Sequence, residues 1–279
     1  MQQPNKPHQN QVLLILNITP DSFSDGGFYF NHPEQVADTI RRALAAGVRA
    51  IDVGAQSTAP GKTPISADEE MKRLEDNFFS LFPKVINPLE IPNDFIFSID
   101  SFRVETVEYF ISKMREWALF PKNEIWWNDV SGLYRSALPI LEKYSDLKYI
   151  CCHNLVPVRE ETPNHQKFVT DILELSDVIS FFRSALEFLP KGRVICDPAL
   201  GFAKSRTQNL NILEKFNEIV TLLPRDVTWI VAISRKSFLR DPGRSYQDPG
   251  QAELVRTRES EFYCSLKILQ KYYIRTHSF

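Results

Sequence analysis

Eight short apolar runs, each ending on polar residues and most followed by a segment of helical spacing, constrain this chain more than any other feature. They read VLLILN, RAIDVG, FIFSID, EIWWND, KYICCHN, RVICDP, TWIVAIS and YIRTH. Between them, Glu34 to Ala46, Glu69 to Phe82, Val104 to Trp117, Asp171 to Leu189, Leu210 to Leu222 and Gln251 to Tyr272 carry the periodicity of amphipathic helices. The runs are too continuously apolar for strands with one wet face, so the alternation predicts a parallel sheet covered by helices. Eight such units favour closure into a (β/α)8 TIM barrel over an open doubly wound sheet. No Gly-x-Gly-x-x-Gly follows the first run to indicate a dinucleotide fold. At 279 residues the chain has the length for one such barrel. No linker divides it, so residues 1–10 are expected to be a disordered tail and 11–279 a single domain. The last run ends at His277 with only Ser278 and Phe279 beyond it, so no eighth helix is expected. One flank of the barrel would then be bare, or covered by a partner chain, or left open by shortening.

Charge excludes some functions. With 33 Lys plus Arg against 35 Asp plus Glu, no overall field recruits nucleic acid or an anionic membrane. The opening MQQPNKPHQN lacks the apolar stretch of a signal peptide, and no later run approaches the roughly twenty apolar residues of a membrane span, so a cytoplasmic protein is expected. Cys151, Cys152, Cys196 and Cys264 lack metal-ligand spacing and are expected to be buried thiols.

Polar residues gather at the C-terminal ends of the runs: Asn17, Asp52, Asp100, Asn128 with Asp129, His153, Asp197, Ser234 to Lys236, Arg275 and His277. In barrels of this type that rim is where active sites are built. The first run is followed by ITPDSFSDGG, Ile18 to Gly27, longer than the two to six residues or so that a strand-to-helix connection needs. An Asp at a strand end also serves as a helix cap or loop anchor, and for Asp52 and Asp129 both readings stand. His153 is expected to be structural and Lys204 solvated. Asp100, Asn128, Asp197 and Lys236 offer acceptors, an amide and a cation, a set suited to a flat heterocycle rich in ring nitrogens. Arg275, His277 and Asn17, near the two chain ends, would meet across the barrel seam as a phosphate and magnesium locus.

Seven motifs in order, ILNITPDSFSDGG, IDVGAQSTAPG, SIDSF, NDVSG, CDPALGFAKSRTQN, SRKSFL and IRTH, span nearly the whole chain. Together they resemble the dihydropteroate synthases, folate-pathway enzymes of the pterin-binding barrel superfamily. The resemblance implies condensation of 6-hydroxymethyl-7,8-dihydropterin pyrophosphate with 4-aminobenzoate, with Mg2+ present, giving 7,8-dihydropteroate and pyrophosphate. It implies that Asp100, Asn128, Asp197 and Lys236 hold the pterin, that Asn17 meets the metal, and that Asn17, Thr58, Arg275 and His277 meet the pyrophosphate. Phe23, Pro60 and Phe202 would flank the aminobenzoate ring, and Ser237, opening a helix, would receive its carboxylate. Asp25, Lys236, Arg275 and His277 would be the catalytic group, and sulfonamides the inhibitor class.

Two departures stand out. Cys152 replaces the methionine usual before the histidine, which is expected to alter packing under the pterin more than chemistry. Ala59 stands where the family pattern has arginine, removing a charge-assisted contact of the kind worth roughly 1.5–3 kcal/mol. Lys62 is the candidate substitute. A pterin-binding paralogue serving as a binding or scaffolding protein is therefore the alternative, whereas a methyl transferase of the same superfamily fits SRKSFL poorly. The family's habit of pairing through C-terminal helices implies a homodimer built on Gln251 to Tyr272, with Leu254, Phe262, Tyr263, Leu266, Ile268 and Leu269.

Overall fold

The computed structural model describes residues 11–20, 29–58, 63–82, 84–120, 122–155, 173–266 and 271–279. Eight parallel strands close into a barrel in chain order: β1 (Val12–Asn17), β2 (Ala50–Gly54), β3 (Ile96–Asp100), β4 (Glu124–Asp129), β5 (Lys148–Cys152), β6 (Val194–Asp197), β7 (Thr228–Val231) and β8 (Tyr272–Thr276), with β8 pairing back onto β1. The helices are α1 (Pro33–Ala45), α2 (Ala67–Asn77), α3 (Val104–Glu116), α4 (Leu138–Lys143), α5 (Leu175–Phe188), α6 (Arg206–Glu214), α7 (Phe216–Thr221) and α8 (Gln251–Ser265).

Strand alternation divides the apolar residues into two cores, because successive side chains point to opposite faces. Leu13, Ala50, Ile96, Trp126, Ile150, Cys152, Ile195 and Ile230 fill the barrel. Tyr273 meets Trp126 edge-on inside it, ring centroids 4.9 Å apart. Leu14, Leu16, Ile51, Val53, Phe97, Ile99, Trp127, Tyr149 and Trp229 face the helices. Both faces of most strands are thus dry, the physical reason the runs are continuously apolar.

Local chemistry starts the helices where the sequence allows it. Ser66 caps α2 by accepting the Glu69 N–H at 3.2 Å, and Asp68, Glu69 and Glu70 complement its dipole. At α6 the Ser205 hydroxyl accepts the Gln208 N–H while the Gln208 side chain accepts the Ser205 N–H, a capping box.

The structure corrects several expectations. The stretch 210–222 is two short helices that meet at Lys215, and α4 has too few residues to show periodicity. The last helix stops at Ser265, and Tyr272 belongs to β8. Cys264 is exposed, since its place on α8 turns it outward, whereas Cys151, Cys152 and Cys196 are buried. Among the described residues no helix follows β8, as expected. The flank is nevertheless closed: the outward residues Val12, Leu14 and Ile274 are each 1% exposed, and Phe279 packs against the outer core. The expected tail, residues 1–10, lies outside the described residues.

Candidate functional site

Inward alternation selects which strand-end residues can act together. Asn17, Gly54, Asp100 and Asn128 lie on one rung, paired in register across β1, β2, β3 and β4. Gly54 keeps the space between two of them clear; a Cβ there would lie 3.4 Å from Asn17 Oδ1 and 3.5 Å from Asp100 Cβ. Asp197 has the inward parity of Ile195 on β6, and Arg275 that of Tyr273 on β8. These side chains converge at the mouth formed by the C-terminal strand ends.

Beneath the rung, Asp52 on β2 is fully buried and organises the charges. Its Oδ2 accepts from Arg275 Nε at 2.5 Å and from Asn128 Nδ2 at 3.0 Å, and Arg275 NH2 donates to Asp100 Oδ2 at 2.5 Å. Asn128 Oδ1 accepts the Cys152 thiol at 3.6 Å, so its amide orientation is set on both sides. Burial pulls the Arg275 guanidinium down, but Asp52 and Asp100 more than offset this and hold it above its ordinary value. Burial pushes Asp100 above the usual carboxylate range; Arg275 opposes the shift and Asp52 adds to it. Asp197 is likewise raised by burial, against the Ala199 N–H that its Oδ1 accepts at 2.7 Å and the cations around it. Arg275, expected at the phosphate site, pairs in this structure with Asp52 and with Asp100 of the heterocycle set.

Lys236 follows β7 and completes that set. Burial and Arg275 lower its amine to about 8 while Asp197 resists, and the ammonium lies 4.8 Å from the centroid of the Phe202 ring. Gly201 makes room for it: its φ is +90°, and a Cβ there would sit 3.3 Å from Lys236 Cδ.

His277 shares the inward parity of Arg275. Burial, with Arg235, Arg275 and Lys236 nearby, lowers its imidazole to about 3. Ser237 is exposed and opens only a three-residue 3-10 turn, Ser237–Leu239. The expected helix dipole is absent, leaving the hydroxyl and local N–H groups to meet a carboxylate. Thr58 is half-buried, four residues after β2 in the loop that leads to α2. Asp25, Phe23, Pro60, Ala59 and Lys62 lie outside the described residues.

Parity also settles the ambiguous residues. Asp129 points outward with Trp127, accepting from Tyr149 OH at 2.7 Å and Ser131 N–H at 2.9 Å, so it anchors a loop. His153 points outward too, buried against Phe181 and Phe182 of α5, as a structural histidine should. Lys204 contradicts its expected solvated state: it is buried, and its ammonium donates to the carbonyls of His153 at 2.5 Å, Phe202 at 3.1 Å and Ala199 at 3.3 Å. Sequence reasoning had no view of those carbonyls, since a Lys after a loop reads as surface. Asp52 was legible in principle, because an acid flanked by Ala50 and Gly54 at inward positions has to find a buried partner.

A second polar cluster flanks the mouth. Arg103, 5% exposed, donates to Glu70 Oε2 at 3.0 Å, to Gln56 Oε1 at 2.6 Å and to the Ile65 carbonyl. Glu70 Oε2 also accepts from Ser101 at 3.2 Å and Thr106 at 2.8 Å. Gln56 and Ile65 stand on either side of residues 59–62, so this buried hub braces the base of the second loop.

No group of three or more His, Cys, Asp or Glu able to hold a metal occurs among the described residues. The Asn17 amide, at the mouth on the same rung as Asp100, is a single neutral oxygen donor. That fits a magnesium ion carried mainly by a diphosphate and water, which needs only one or two protein ligands.

Comparison with known proteins bears on this arrangement. The family model described as pterin binding enzyme matches residues 14–265. The dihydropteroate synthase of Staphylococcus haemolyticus is 29% identical over 270 residues, covering 97% of this chain and 90% of the relative. That of Streptococcus pyogenes serotype M3 is 30% identical over 212 residues, covering 76% of this chain and 71% of the relative. In fold, the chain is similar to the Yersinia pestis dihydropteroate synthase solved with a sulfonamide drug complex, with a TM-score of 0.71 at 24% identity over 96% of this chain and 88% of that one.

Proposed function

The chain belongs to the pterin-binding enzyme family, among its dihydropteroate synthases, and from that premise we propose how its barrel mouth joins 6-hydroxymethyl-7,8-dihydropterin pyrophosphate to 4-aminobenzoate. The protein is a transferase of folate synthesis. The observation that carries the site reading is the convergence of Asp100, Asn128, Asp197 and Lys236 at one mouth over the Asp52–Arg275 pair.

In this reading the two carboxylates accept the amino and ring N–H groups of the pterin, Asn128 completes the edge, and Lys236 donates to a ring acceptor. Arg275 uses Nε and one NH2 hydrogen on Asp52 and Asp100. A guanidinium has five N–H donors, so its remaining edge can meet a phosphoryl oxygen. His277 and Thr58 add donors there, and Asn17 would hold the magnesium ion, whose charge supports departure of the diphosphate. The C–O bond to pyrophosphate breaks, the methylene shares positive charge with the electron-rich pterin, and the aniline nitrogen forms the new C–N bond before losing its proton. Such a reaction needs placement and exclusion of water more than a strong nucleophile. Phe202, with Phe23 and Pro60, would flank the aminobenzoate ring, Ser237 would meet its carboxylate, and Asp25 would act near the reacting carbon. A sulfonamide would compete for the aminobenzoate position.

The binding-only alternative is not favoured, because the mouth retains its polar set. No helix among the described residues is long and apolar enough to cross a membrane; a cytoplasmic location and one barrel domain over residues 11–279 belong to the proposed reading. We also propose a homodimer built on α8. The deciding experiment is a coupled assay for pteroate formed from the two substrates with magnesium: pteroate release is the expected result, and pterin binding without pteroate would refute the reading.

A further inference from the structure

The loop joining β6 to α6 holds three residues with left-handed φ, two of them not glycine: Ala199 at 47°, Gly201 at 90° and Ala203 at 51°. Backbone of this kind persists only where its surroundings over-determine it. Here two side chains do so. Asn209 accepts the Gly201 N–H at 2.7 Å and donates to the carbonyls of Ser205 at 2.9 Å and Lys204 at 3.1 Å. Lys204 sends its ammonium back beneath the loop onto the Ala199 and Phe202 carbonyls and across to that of His153 beyond β5. The cost of burying that amine is visible in its ionisation, which burial lowers to about 7 while Asp197 resists. A buried amine spent on three backbone carbonyls points to a shape that must be held. The loop delivers two things to the mouth: the Phe202 ring beside the Lys236 ammonium, and the bare Cα of Gly201 along which the Lys236 chain runs.

We propose that Lys204 is the positioning residue of the Phe202 ring: by pinning three carbonyls around a strained loop, it sets where the ring of the aromatic acid docks. The proposal rests on the reading of Phe202 and Lys236 as substrate contacts, and its test separates the two. A single 4-fluorophenylalanine placed at position 202 reports the ring's environment by fluorine NMR without any turnover. In the parent chain one sharp resonance is expected; in Lys204→Met it should broaden or split. In steady-state assays Lys204→Met should raise KM for 4-aminobenzoate about tenfold while KM for the pterin pyrophosphate stays within about threefold. Adding Ala199→Gly and Ala203→Gly to Lys204→Met removes the strain that the amine opposes, and should restore the single resonance and most of the lost KM.

One unshifted line with an unchanged KM in Lys204→Met would overturn the proposal, as would a parallel rise of both KM values. If Lys204→Met does not fold but its glycine-bearing version does, with a parent-like resonance, the pinning role stands. If neither folds, Lys204 is a packing residue and the proposal falls. Should the parent chain form no pteroate, the proposed function fails while the fluorine spectra still decide the role of Lys204.

Discussion

Asp52 shows how much one inward acid can organise: it is 0% exposed and serves both Arg275 and Asn128. Removing Asp52 takes one of two carboxylates from Arg275, which keeps Asp100, and leaves Asn128 Nδ2 without its acceptor, at a cost of about 1–3 kcal/mol or more. Asp52→Ala is therefore expected to lower the melting temperature sharply and weaken pterin binding in calorimetry, although Asp52 need not touch the ligand. Asp100→Ala and Asp197→Ala should abolish that binding, since each leaves ligand donors unpaired at about 1–3 kcal/mol or more; parent-like binding in both would refute the assignment. Lys236 supplies a pH signature. An amine lowered to about 8 by burial is charged below that pH and neutral above it. As an ammonium donor it helps hold the ligand, so pterin affinity should fall as pH rises from 7 to 9. Lys236→Met should bind more weakly and lose this dependence, and an equally steep profile in the variant would assign it to another group.

At the scale of elements, the loops after β2 and β6 rest on different physics. The first is braced from below by the Arg103–Glu70 hub, which reaches Gln56 and Ile65 on either side of residues 59–62. Glu70→Ala should cost about 3 kcal/mol or more in denaturant unfolding, because Arg103 would stay buried without its carboxylate. A loss under about 1 kcal/mol would mean that the hub is readily rehydrated. The loop after β6 is held against its own strain: left-handed backbone costs a non-glycine residue about 1–2 kcal/mol. Ala203→Gly alone, at φ 51°, should therefore raise stability by about 1 kcal/mol in the same measurement.

For the whole molecule, the missing eighth helix does not leave an apolar wound, since Ile274 and the outward residues of β1 are covered. The case for a second subunit therefore moves to the surface of α8 and its surroundings. Val255, Phe262 and Leu266 are buried within the chain, and Leu254 and Tyr263 are only half-buried. Leu222, just after α7, adds apolar surface at 52% exposure, and α7 packs on α8 through Phe216 and Phe262, ring centroids 5.8 Å apart. Sedimentation at micromolar concentration is expected to show a dimer, and a stable monomer there would refute it.

The sequence by itself determined the βα alternation, the barrel, the polar strand ends and, through the seven motifs, the family, because each is written in local spacing or contiguous residues. Asp129 stayed ambiguous in the sequence; the facing of the strands in the barrel separated inward Asp100, Asn128 and Asp197 from outward Asp129. Only the tertiary structure decided which charges meet: Arg275 finds Asp52 and Asp100, 223 and 175 positions away in the chain. It also decided that Lys204 is buried, that His277 sits among Arg235, Arg275 and Lys236, that Ser237 opens a mere turn, and that the flank beside β8 is closed. Each of these depends on groups brought together by closure of the barrel. Burial and partnership, which set charge state and strain, come into being only when distant strands share one interior.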